Sequence, residues 1–206
     1  NEPGPHISKK YINALKSQLL EIVSPNDLIV LTGSLPPGLD QDYYAELITE
    51  LKSKDVKVIL DTSGGPLIKG LQAKPYLIKP NLSELEELHG HKLDTTSQII
   101  EVGGRLLKTG IEVIIISLGE AGAIIMNEEG SWKINPPNVE VASTVGAGDT
   151  LVGALTVKLQ QDYPLIKAVK YAIAASAASV RRPGTQLCKK KEVEELLSQV
   201  TISRIN

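Results

Sequence analysis

The stretch Ser143-Thr144-Val145-Gly146-Ala147-Gly148-Asp149-Thr150 joins residue types that can do chemistry. Gly146, Ala147 and Gly148 carry little or no side chain, so a ligand can approach the backbone closely. An apolar run from Leu151 to Leu159 follows at once, which predicts a helix opening directly from this turn. The first amides of a helix have no partner of their own. With the helix dipole they form a site for an anion, most often phosphate. Asp149 is the odd member, because a carboxylate repels phosphate. It suits a base that takes a proton from a hydroxyl attacking phosphorus. Taken alone, the same residues also suit an ordinary helix start with an acid in its first turn.

The elements needed to hold such a turn are legible around it. Ser8 opens a helix with Tyr11, Ile12, Leu15, Leu19 and Ile22 on one side. Leu28-Ile29-Val30-Leu31 is a short continuous apolar run, as in a strand buried on both faces, and Gly33-Ser34-Leu35-Pro36-Pro37-Gly38 is a loop at its end. A helix over 42–52 and a strand over 56–60, ending at Asp61, come next. Residues 62–66 read as loop, 67–71 as a short helix and 76–78 as a strand ending at Lys79-Pro80-Asn81. Ser83 and Glu86 have capping-box spacing for a helix through Leu88. A helix over 99–108 precedes the strongest strand, Val113-Ile114-Ile115-Ile116, and the loop Ser117-Leu118-Gly119-Glu120-Ala121-Gly122. A hairpin over 123–134 and an edge strand over 139–141 lead to the central turn. Helices over 151–161, 165–180 and 192–200 close the chain, and the second is rich in alanine.

Strands alternating with helices predict an α/β fold with a parallel sheet and helices on both faces. In such sheets ligands sit at the carboxyl ends of the strands. The loops at 33–38, 79–84 and 117–122 all follow strands.

The 206 residues suffice for one large domain with a real core, and the formal net charge is −2. Six Tyr, one Trp and no Phe leave little stacking material, so nothing points to nucleic acid. The single cysteine, Cys188, excludes an internal disulfide and fits a reducing cytoplasm. No apolar run is long enough for a membrane, and no signal peptide is recognisable in the sequence. His89 and His91 lack a third ligand for zinc. A dinucleotide oxidoreductase would carry its glycine turn after the first strand, with an acid about twenty residues on. A serine hydrolase would show Gly-x-Ser-x-Gly, which is absent.

Three motifs together resemble the ribokinase-like (phosphofructokinase B) carbohydrate kinase family. Ser143 to Asp149 looks like its second signature, Asp-Thr-x-Gly-Ala-Gly-Asp. Asn81-Leu82-Ser83-Glu84 matches its Asn-x-x-Glu motif, and Ser117 to Gly122 its Ser-x-Gly-x-x-Gly nucleotide loop. The Gly33–Gly38 loop, Lys79-Pro80-Asn81 and Arg182-Pro183-Gly184-Thr185 look most like the 1-phosphofructokinase branch, with tagatose-6-phosphate kinases as near neighbours. The resemblance implies a three-layer ribokinase-like α/β fold with a mainly parallel sheet. It implies ATP and Mg2+, with a sugar phosphate as the other substrate. Asp149 would be the general base, and the amides of Gly146, Ala147 and Gly148 the anion hole. Asn81 and Glu84 would hold magnesium. Ser117, Leu118, Gly119, Glu120, Ala121 and Gly122 would lie along the nucleotide, together with Asn81, Gly148 and Asp149. Gly33 and Ser34 would face the sugar. The implied reaction converts fructose 1-phosphate to the 1,6-bisphosphate. A non-catalytic nucleotide-binding module is the alternative from another class.

Two departures follow from the same resemblance. The family's first signature Asp is Ser143 here, and the third position is Val145. Relatives use those positions to help bind a monovalent cation, so little potassium activation is expected. Members of the family also carry, before the region matching Asn1, about a third of the domain, with further strands and a β lid. The expectation is therefore the C-terminal two-thirds of one kinase domain, over residues 1–206. It would be inactive alone, with one open sheet edge, and the full-length parent would be a homodimer.

Overall fold

The computed structural model describes residues 4–205. The opening Asn1-Glu2-Pro3-Gly4-Pro5, whose Pro and Gly residues predict a loop, therefore lies partly outside the described residues. The chain falls into two compact units, Asn1–Ile116 with Met126–Glu128, and Ser117–Ile125 with Glu129–Asn206.

In the first unit, β1 (Leu28–Thr32), β2 (Lys57–Asp61), β3 (Leu77–Ile78) and β4 (Val113–Ser117, to Ile116 in this unit) follow one another in that order. All three pairings are parallel. Thr32 stands opposite Asp61, and Leu60 opposite Ile78. This register brings Gly33, Asp61, Thr62 and Lys79 to the same end of the sheet. Val58, Ile59, Leu60, Leu77, Ile78, Ile114, Ile115 and Ile116 are buried, which is why these strands read as continuous apolar runs.

The helices of this unit are α1 (Lys9–Ile22), α2 (Tyr43–Lys52), α3 (Gly64–Gln72), α4 (Leu82–His89) and α5 (Thr96–Leu107). α3 starts earlier than expected, with Ser63 as N-cap and Pro66 inside the first turn. Proline is tolerated there because its missing N–H would have no partner in any case. α5 also starts early, because Thr95 and Gln98 form a capping box. On α1 only Ile12 of the expected stripe is buried; Tyr11, Leu15 and Ile22 are exposed. Ser8 makes no side-chain cap bond. Lys16 ties α1 to α2 through Glu50, with Glu46 3.7 Å away.

The second unit holds most of β5 (Ala123–Asn127), then β6 (Gly130–Asn135), α6 (Ala147–Gln160), α7 (Leu165–Val180), α8 (Lys190–Leu197) and β7 (Thr201–Ile205). The edge strand expected over 139–141 is absent. Pro136 and Pro137, just past β6, cannot donate to a ladder and end the paired stretch before it. The edge is instead β7, antiparallel to β6 with Ile134 opposite Ile202. The last helix stops at Leu197 to allow it. α6 and α7 pack against each other, and Leu155 of α6 and Ala168, Ala172 and Ala175 of α7 are all buried. Alanines let two helix backbones approach closely, and full burial of a residue such as Leu155 contributes about 2 kcal/mol. Parallel strands with helices make an α/β fold, mainly parallel, as the sequence implied.

Candidate active site

Gly146 is the N-cap of α6 and lies at φ +78°, a conformation that favours glycine. No described atom stands within 4 Å of where a Cβ would sit on it. The Ala147 amide turns back to Thr144 O at 3.3 Å. The amides of Gly146 and Gly148 have no such acceptor outside the helix among the described residues. Asp149 is the third residue of α6 and is exposed. The Ser176 hydroxyl of α7 donates to Ala147 O at 3.0 Å, which fixes the start of α6. The Ala142 and Ser143 amides both donate to Val180 O, at 2.8 and 3.1 Å, so the end of α7 holds the entry to the turn. The Ser143 hydroxyl accepts the Val145 amide at 3.2 Å.

Beside this turn lies a cavity of about 700 Å3 whose walls include Val145, Gly146, Asp149, Tyr171 and Cys188. Cys188, the single cysteine, is on that wall. Its thiol reaches Ala175 O at 3.6 Å, and burial pushes its pKa up, so it is not poised as a nucleophile. Ala174 and Ala177 are buried in helix packing, which is enough to account for their size.

Ser117–Gly122 contains one 3-10 turn, Gly119–Ala121, where the sequence suggested no helical structure. Leu118 N–H donates to Gly122 O at 2.8 Å and closes the loop. Gly122 has φ +84°, and a Cβ there would stand 2.0 Å from Ile134 O. Gly119 and Glu120 are exposed.

In the first unit, Asn81 and Glu84 form the capping box of α4, in place of the expected Ser83–Glu86 pair. Asn81 Oδ1 accepts the Glu84 amide, and Glu84 Oε2 accepts the Asn81 amide, both at 2.8 Å. Glu86 accepts instead from Lys92 and from the Leu93 amide. Desolvation is the largest influence on Glu84 and raises its pKa, against the Asn81 amide and Lys79, which lower it. Lys79 is buried and 3.0 Å from Asp61. Sequence reasoning treated Lys79 as a strand-end lysine and gave Asp61 no role. The signal available was a lysine and an acid at the ends of adjacent parallel strands. Gly33 and Ser34 are exposed, with Gly33 at φ +86°.

Among the described residues no group of three His, Cys, Asp or Glu could hold a metal ion. Asn81 and Glu84 supply hard oxygen donors, of which Glu84 Oε1 is not used by the box. That set fits magnesium, which keeps most of its own waters.

The chain is an α/β protein in which a left-handed glycine opens a helix, a geometry that can accept an anion. The chain belongs to the pfkB family of carbohydrate kinases, whose model matches residues 4–192. It is 35% identical over 206 residues to 1-phosphofructokinase of Borreliella burgdorferi, covering 100% of this chain and 66% of that one. It is 34% identical over 180 residues to the Escherichia coli K12 1-phosphofructokinase, covering 87% and 58%. The structure of Escherichia coli phosphofructokinase-2 in complex with potassium superposes with a TM-score of 0.91 at 31% identity, covering 96% of this chain and 64% of that one. The chain thus spans less than two thirds of the length of these relatives.

Proposed function

We propose that these residues belong to a kinase that transfers the terminal phosphoryl group of ATP to a ketohexose phosphate, fructose 1-phosphate first and tagatose 6-phosphate second. Residues 1–206 form the C-terminal two-thirds of its one domain, and the complete chain works in the cytoplasm as a homodimer. One observation carries the reading: a left-handed Gly146 opens α6 and leaves Asp149 exposed in its first turn, in a chain of the pfkB family.

Asp149 takes the proton of the attacking hydroxyl as its oxygen bonds to phosphorus and the bond to the leaving ADP oxygen breaks. The amides of Gly146 and Gly148 face the charge on the phosphoryl oxygens, whereas the Ala147 amide, expected to join them, is turned to Thr144 O at 3.3 Å. Transfer of this kind depends on positioning and charge neutralisation, which oriented amides supply. Magnesium, when bound, would supply charge neutralisation on the phosphates. Asn81 and Glu84 would hold it through their oxygens and its waters. Ser117–Gly122 lies along the nucleotide, with Gly119, Glu120 and Ala121 exposed to it, and Gly33 and Ser34 face the sugar.

The test is ADP release by the complete polypeptide containing these residues, with ATP, magnesium and each ketohexose phosphate in turn. Turnover with fructose 1-phosphate supports the reading. Nucleotide binding by calorimetry with neither sugar binding nor turnover overturns it in favour of a non-catalytic module. Size measurement tests the dimer, since Escherichia coli phosphofructokinase-2 has also been solved in a tetrameric inhibited form.

A further inference from the structure

Two hydroxyls converge at the head of the Gly33–Gly38 loop. Thr62 Oγ1 donates to Gly33 O at 2.8 Å. Tyr44 Oη lies 2.9 Å from Thr32 O and 3.2 Å from Gly33 O. Both side chains are buried, with 7% of Thr62 and 8% of Tyr44 exposed. A buried hydroxyl is tolerated only with a partner, and these two direct theirs to the loop backbone. The Gly33 amide donates to Asp61 O at 3.0 Å. Both polar groups of the Gly33 backbone are thus fixed from within the same unit. Burial also keeps the Tyr44 phenol above its ordinary pKa, so it remains protonated as a donor.

The far end of the loop is held as well. The Ile7 amide donates to Pro37 O at 2.9 Å, and the Leu39 amide to Pro36 O at 3.3 Å. Ser34 lies between two anchored ends and is exposed. No described atom stands within 4 Å of the position a Gly33 Cβ would take. The loop therefore offers a fixed peptide edge and an exposed hydroxyl to open space. Recognition of a polyol gains most from polar groups ordered before the ligand arrives, because less freedom is lost on binding.

We propose that Thr62 and Tyr44 are positioning residues that hold the Gly33–Ser34 peptide ready to receive the hydroxyls of a sugar phosphate. The inference rests on the reading above in which Gly33 and Ser34 face the sugar. Neither residue touches the substrate, and their action passes through the Gly33 carbonyl.

The experiment uses the complete polypeptide and its T62V, T62S and Y44F variants. Amide hydrogen exchange is followed over residues 32–38, and KM is measured separately for fructose 1-phosphate and for ATP. T62V is expected to speed exchange in that segment about tenfold, since a local anchor is lost. Its KM for the sugar phosphate should rise about tenfold, with kcat and the KM for ATP little changed. T62S keeps the donor and should restore both readouts. Y44F keeps the ring and should shift them the same way as T62V, so it carries the test if T62V does not fold. Unchanged exchange in T62V and Y44F overturns the clamp, as does an equal rise in both KM values or a T62S variant that behaves like T62V. A wild-type protein inactive on every ketohexose phosphate overturns the functional reading and the sugar assignment with it. An active wild type whose T62V variant keeps its sugar KM overturns the positioning role alone.

Discussion

The Lys79 ammonium lies 3.0 Å from the Asp61 carboxylate, with only 8% and 14% of the two side chains exposed. The register of β2 and β3 makes the pair, since Leu60 faces Ile78, Asp61 follows Leu60 as the last residue of β2, and Lys79 follows Ile78 just past the end of β3. Loss of one member of a buried pair leaves the other charge without its partner. Asp61→Asn is therefore expected to lower unfolding free energy by about 3 kcal/mol. Replacing both, as Asp61→Asn with Lys79→Met, should recover a large part of that loss. Urea denaturation of the three proteins checks it.

Asp149→Asn keeps the shape of α6 while removing the proposed base. In the complete polypeptide it should lower turnover by roughly 10²–10⁴, the usual contribution of general base catalysis. The KM for ATP should hardly move. Steady-state kinetics read both, and turnover close to wild type would remove Asp149 from the mechanism.

Glu84 titrates above its ordinary 4.5 because burial disfavours its charged form. A carboxyl raised in the folded state binds protons more tightly there than in the unfolded chain. Its contribution to stability is fully present below 4.5 and is lost as pH rises through the folded value. Glu84→Gln should therefore gain stability relative to wild type as pH rises through that window, and thermal melts at several pH values will show it. If Glu84 holds magnesium as proposed, the same proton would compete with it, and the magnesium requirement of the wild-type kinase should grow as pH falls toward the window.

Two glycines with similar φ should respond differently to alanine. A Cβ on Gly122 would meet Ile134 O at 2.0 Å and Pro136 Cδ at 2.8 Å. Gly122→Ala should cost more than about 2 kcal/mol, because backbone must move. Gly146→Ala meets open space and should cost only about 1 kcal/mol from its left-handed backbone. Differential scanning calorimetry separates the two.

Potassium should have little effect on turnover. Ser143 has no charge, its hydroxyl accepts the Val145 amide at 3.2 Å, and Val145 offers no side-chain oxygen. A kinase assay titrated with potassium against a sodium control checks this, and a large stimulation would refute it.

The sheet was legible because buried parallel strands are unbroken apolar runs, as in Val113–Ser117. The glycine turn was legible because only glycine suits its backbone. The capping box was assigned to Ser83 and Glu86 when Asn81 and Glu84 form it, because both pairs share one spacing and only the helix start decides between them. β7 was missed although Thr201-Ile202-Ser203-Arg204-Ile205 is rich in β-branched residues, since charged residues just before it read as a continuing helix. The Thr62 and Tyr44 bonds to Gly33 were not legible at all. The first spans 29 residues and depends on the pairing of β1 with β2, and the second, spanning 11, depends on how α2 packs against β1, neither of which a local pattern encodes.

The carbonyl of Val180 receives the amides of both Ala142 and Ser143. The far tip of a sixteen-residue rod thereby sets where the glycine bend begins. Adding one residue to that rod would swing its tip by about 100° and carry it ~1.5 Å further. Its length is thus a gauge for the chemistry next door, and an insertion far from Asp149 in sequence should misplace it as surely as a change in the bend itself.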